Sequence, residues 1–155
     1  MSHSTVLALI GGDEEVATFQ VGDLSLGIDI HCIQEINSEV NVFPVPNAPA
    51  EIHGVINLRG DVVTVIDLGI VFWNTRTTAG PSSRLVIVED GAERIAFLAD
   101  EIEDIRTVDP NAVEPAPANV GGAEGRFFRC IFKREGKLTA ILDVAETLRA
   151  LGGES

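Results

Sequence analysis

The stretch Gly54-Val55-Ile56-Asn57-Leu58-Arg59-Gly60-Asp61-Val62-Val63-Thr64-Val65-Ile66-Asp67-Leu68 decides the fold class. Two short β-rich runs, Val55 to Leu58 and Val62 to Leu68, flank Gly60-Asp61, where glycine supplies the positive φ that a tight hairpin needs. The same grammar recurs along the chain. Val16 to Val21 and Leu24 to Ile30 flank Gly22-Asp23, Arg84 to Glu89 and Arg94 to Leu98 flank Asp90-Gly91, and Phe127 to Phe132 and Leu138 to Leu142 flank Glu135-Gly136. Four hairpins in one small chain predict a meander.

Helical signals are confined to His31–Ile36, Leu68–Trp73 and Val144–Leu151, each one or two turns and each following a strand. The segment Asp109 to Gly125 holds Pro110, Pro115 and Pro117 and then Gly121, Gly122 and Gly125, which predicts an irregular loop crossing between two parts of the fold. Those two parts show as an internal repeat. Residues 60–72 align without gaps on 136–148, keeping Asp67 on Asp143, and residues 22–36 fall on 91–105 with Ile28 on Phe97, Ile33 on Ile102 and Ile36 on Ile105. Two matches in the same order point to duplication, and hence to two small barrels packed side by side that close most sheet edges.

Composition agrees. The chain has 155 residues, 45% hydrophobic but only 5% aromatic, with no Tyr, so its core must be aliphatic. The net charge of −13 opposes nucleic acid and anionic membrane surfaces and favours basic partners; Glu89 to Asp104 is especially acidic. Cys32 and Cys130 form no C-x-x-C pair and are too few for a disulfide framework, as expected of free thiols in a reducing, cytoplasmic compartment. The apolar run Val6 to Ile10 is too short and wrongly flanked for a signal peptide, and no run has the length to cross a bilayer.

The residues assemble no catalytic constellation. His3, His31 and His53 lack metal-motif spacing, and Gly11-Gly12, Gly121-Gly122 and Gly152-Gly153 lack the context of a phosphate loop. Asp67 and Asp143 each end an apolar strand before a short helix, the position of an N-cap rather than of an acid–base pair. Asn57-Leu58-Arg59-Gly60 stands out, because it presents an arginine, rich in donors and frequent at interface hot spots, on a hairpin tip. The alternative is a solvated turn. Ile33, Glu35 and Ile36 pose a similar choice between core and contact surface.

Leu26-Gly27-Ile28-Asp29-Ile30, Gln34-Glu35-Ile36, Pro46-Asn47-Ala48-Pro49, Gly54 to Gly60 and Val65-Ile66-Asp67-Leu68 resemble, in order and spacing, the CheW-like family of chemotaxis coupling proteins. The likeness runs from Val16 to Leu148 and is looser in the second half, where Ala99 to Ile102 and Leu138 to Leu148 carry it. It implies an all-β fold of two five-stranded SH3-like β-barrels with a few short helices, spanning residues 15–149 between a flexible tail at 1–14 and a short tail at 150–155. It further implies an adaptor without catalysis, cofactor or metal. The partners it implies are the regulatory domain of a CheA-type histidine kinase and the cytoplasmic tips of methyl-accepting chemoreceptors, reached from the cytoplasm without membrane insertion. By position, Asn57, Arg59 and Gly60 match the family's docking tetrapeptide, and Ile33, Glu35 and Ile36 match a second contact segment. Glu51, Thr64, Gly69 and Phe128-Arg129-Cys130 depart from the family pattern, which bears on partner identity. From another class, a small β-barrel that binds an apolar ligand is the alternative; an unrecognised hydrolase ranks behind it.

Overall fold

The computed structural model describes residues 15–38, 41–91, 93–134 and 136–151. The tail at 1–14, His3, Val6 to Ile10, Glu135 and Gly152-Gly153 lie outside the described residues. The strands are β1 Glu15–Val21, β2 Leu24–Asp29, β3 Ile33–Asn37, β4 Ile52–Leu58, β5 Asp61–Ile66, β6 Arg84–Asp90, β7 Glu93–Ala99, β8 Glu101–Thr107, β9 Val113–Pro115, β10 Asn119–Val120, β11 Ala123–Glu124, β12 Phe128–Arg134 and β13 Lys137–Leu142. Helix α1 spans Leu68–Trp73 and α2 Val144–Ala150, capped by Asp67 and Asp143. The two aspartates therefore occupy the capping positions read from sequence.

The four hairpins form, but they do not make a meander. One sheet has the order β8-β1-β2-β13-β12-β9 and the other β3-β6-β7-β5-β4, with β10 and β11 paired separately. At the centre of each, two hairpins meet through a parallel pair: Ser25, Leu26 and Gly27 oppose Thr139, Ala140 and Ile141, while Thr64, Val65 and Ile66 oppose Ile95, Ala96 and Phe97. Each sheet thus takes one hairpin from each sequence repeat. Carrying Val65–Ala96 through the repeat lands on Ile141–Gly27, and the bulges that leave Gln34 and Glu103 unopposed also correspond.

Alternation along the strands sorts the core into layers. In β6, Leu85 and Ile87 pack with Ile56, Val63 and Val65 on one face, whereas Val86 and Val88 face the other sheet's Phe19, Leu26 and Ile28. Both faces of β6 are therefore buried, and all four residues are fully inaccessible. A smaller cluster of Val16, Val108, Val113, Cys130, Phe132 and Ile141 fills the inner face of the six-stranded sheet.

Two local expectations are corrected. His31–Ile36 is not a helix: a 3-10 turn at Ile30–Cys32, capped by the Asp29 side chain, leads directly into β3. The helical-looking spacing of Ile33 and Ile36 arises from the bulge at Gln34, which adds a residue and returns both isoleucines to one face, opposite Val88 and Val86. Between Asp109 and Gly125 the chain is not wholly irregular either. Val113, Val120 and Ala123 are buried, and burial of backbone demands partners. Strand β9 supplies them by pairing with β12, and the β10–β11 hairpin turns at Gly121-Gly122, where the Gly122 N–H donates to Asn119 Oδ1 at 3.0 Å.

Candidate functional site

Arg59 and Gly60 form the two-residue turn between β4 and β5, both left-handed with φ of 51° and 92°. Glycine is indifferent to that conformation, whereas arginine is strained by it. The turn is held by Asn57, whose Oδ1 accepts from the Gly60 N–H at 2.9 Å. No heavy atom lies within 4 Å of where a Gly60 Cβ would stand, so the requirement there is conformational only.

The Arg59 side chain is two-thirds exposed, yet it is not a loose surface group. Its Nη1 donates to Glu35 Oε1 at 3.2 Å, and Nη2 lies 2.9 Å from Oε2. Hydrogen bonding and charge from Arg59 hold the Glu35 carboxyl below its usual range, and Arg94 adds to the effect. The Arg59 guanidinium is held above its usual value, chiefly by Glu35. Arg94 in turn pairs with Asp61 at 2.9 Å, so four charges of alternating sign cluster at this end of the sheet.

Of the six residues expected at the surface, Glu35, Asn57, Arg59 and Gly60 come together here, and Ile36 lies beside Glu35 with 42% exposure. Ile33 differs, since it is half buried and packs on the core between the sheets. Sequence reasoning missed Asp61, Arg94, Val62 and Phe43. Val62 is 72% exposed immediately after the turn, and Phe43 is 64% exposed where its backbone pairs with Val55. A signal for Val62 existed: Val63 and Val65 take the buried phase of β5, which leaves Val62 on the opposite phase. Gly54 admits Phe43 closely, for a Cβ at Gly54 would stand 2.4 Å from the Phe43 carbonyl oxygen.

Elsewhere, a cleft of about 390 Å³ is lined by Trp73, Arg76, Thr77, Ser83 and Asp100, among others. The cleft is open to solvent, and its lining mixes apolar surface with hydroxyl and charged groups, unlike the enclosed pocket that buries most of a small apolar ligand. The Cys130 thiol is pushed up to about 12 by burial, which makes it a poor nucleophile. Among the described residues, no helix is long and apolar enough to cross a membrane.

Comparison with known proteins places this geometry among relatives. Residues 15–152 match the CheW-like domain family. The chain is similar to the chemotaxis protein CheW of Rhizobium meliloti, 30% identical with 88% of each chain covered. It is also similar to the probable chemotaxis protein CheW of Rhizobium etli, 31% identical over 93% of this chain and 92% of the other. In three dimensions it resembles the scaffolding protein TtCheW of Thermoanaerobacter tengcongensis, with a TM-score of 0.78, 28% identity and 85% of each chain covered.

Proposed function

This chain belongs to the CheW-like family, and from that premise we propose that it is a non-catalytic adaptor coupling chemoreceptors to a CheA-type histidine kinase in the cytoplasm. Its relatives are named as chemotaxis and scaffolding proteins, which supports the coupling role. An adaptor works by holding partners, so its chemistry lies in what it presents rather than in what it transforms.

The observation that carries the docking assignment is the Arg59–Glu35 pair. Backbone strain of this kind gathers at functional positions, and the two-point contact with Glu35 holds the Arg59 side chain in one orientation. With the guanidinium fixed beforehand, Arg59 itself loses little side-chain entropy when a partner engages it. Ile36 and Val62, next in sequence to Glu35 and close after Arg59, add exposed apolar surface to β3 and β5. The test is a calorimetric titration of the purified chain against a kinase regulatory domain and, separately, a receptor-tip fragment. Saturable binding of both is expected; failure to bind either overturns the adaptor reading.

A further inference from the structure

Neither repeat completes a sheet alone, because both parallel seams and both edge pairings, β1 with β8 and β3 with β6, join residues of one repeat to residues of the other. One covalent connection links the repeats, residues 74–83, and none of it pairs as a strand. Contacts of this kind are indifferent to whether the two repeats belong to one chain or to two copies, which is the condition for domain swapping. What selects between the two is the shape of the connection.

That shape is held by a buried carboxylate. Asp67 is fully buried, and besides capping α1 through the Gly69 and Ile70 N–H groups it reaches the linker: Oδ2 accepts from the Thr77 N–H at 2.9 Å and Oδ1 from the Thr77 hydroxyl at 2.7 Å. Thr75 also returns to the helix, its N–H donating to the Gly69 carbonyl at 3.1 Å. Asp143, the repeat counterpart, caps α2 through the Glu146 N–H and lies in the second repeat, beyond the connection. The added bonds of Asp67 thus occur where there is a connection to fold back.

We propose that residues 74–83 are a hinge, and that the Asp67–Thr77 clamp keeps the repeats paired within one chain instead of exchanged with a second copy. Extended, ten residues reach at most about 33–36 Å, enough to pass from one unit to a neighbour. The exchanged dimer would keep every strand pairing and would carry two copies of the Glu35–Arg59 site.

The test uses the full chain, unfolded in urea and refolded at high concentration, with mass read by light scattering. Thr77→Val removes the hydroxyl bond while leaving the Asp67 cap intact; a second variant deletes 78–82 so that the linker cannot turn back. Wild type should refold as a monomer and both variants should yield dimer with unchanged circular dichroism. A protease site placed between Gly80 and Pro81 of Thr77→Val, whose linker is full length, identifies the exchange, since cutting the hinge of an exchanged dimer releases units of one-chain mass. A monomeric Thr77→Val overturns the clamp, a folded monomeric deletion variant overturns the hinge, and a dimer that survives hinge cleavage overturns the exchange. Should the deletion variant not fold, Thr77→Val and the cleavage decide.

Discussion

Arg59 and Glu35 meet across the seam of a rolled sheet: Glu35 lies on the edge strand β3, Arg59 on the turn that joins β5 to the opposite edge strand β4, and their charged atoms stand 2.9 Å apart. The five-stranded sheet therefore curls until its two edges exchange side-chain contacts without exchanging backbone hydrogen bonds. Arg59 is largely exposed and Glu35 partly so, and an ion pair screened by solvent on one side contributes little to folding.

Stability and docking should consequently separate. Arg59→Ala and Glu35→Ala should leave the urea midpoint essentially unchanged while weakening binding of the kinase domain or receptor fragment by about ten-fold or more, the effect of losing a hot-spot group. Denaturation curves beside titrations check this. Binding as tight as wild type in both variants would reduce the tetrapeptide to a turn.

The pair also sets a pH dependence. Because Arg59 lowers the folded-state value for Glu35, the pair's contribution is complete above the ordinary carboxylate value of 4.5 and is lost as pH falls below it toward the depressed value. Carbon-detected NMR titration should place the Glu35 midpoint under 4.5 in wild type and return it upward in Arg59→Ala. A wild-type midpoint at or above that value contradicts the pairing.

Truncation of the core should produce the reverse of the Arg59 result. Ile66 is 3% exposed and lies in the layer between the sheets, so Ile66→Ala should cost about 2–5 kcal/mol through lost burial and the cavity left behind. The fraction that remains folded should still bind partners with wild-type affinity. A loss of affinity per folded molecule would mean that the layer communicates with the Arg59 turn.

Thiol chemistry gives a fourth check. Cys130 is fully inaccessible and its pKa is pushed up to about 12, so below that pH it remains a neutral thiol. An aromatic disulfide reagent at pH 8 should leave it unmodified until denaturant is added. Prompt labelling of Cys130 in the native protein would show that the inner face of its sheet opens readily.

Much of this architecture was legible because hairpins are local: a glycine between two apolar runs commits both strands, as at Gly60 and Gly91. Pairing between hairpins was not legible. The parallel seam of Ser25 with Thr139 depends on two faces being apolar at once, and neither residue advertises its distant neighbour. The bulge at Gln34 was hidden for a related reason, since an inserted residue turns strand periodicity into spacing that imitates a helix. At the site, Arg59 could be singled out by its type and place, whereas Glu35 becomes its partner only through the roll of the sheet.

The parallel seam has a further consequence while the protein is being made. Ser25 and Thr139, in contact through their hydroxyls at 3.3 Å, are 114 residues apart, and at roughly 5–20 residues per second the second follows the first out of the ribosome only after several seconds. Strands β3 to β7 end at Ala99 and can assemble in that interval, with the Glu35–Arg59 turn already built. The first hairpin must wait with one edge unpaired until β13 emerges. A chain interrupted before Thr139 would thus leave the β13 edge of β2 without its backbone partner, an open strand edge of the kind that invites pairing with other chains.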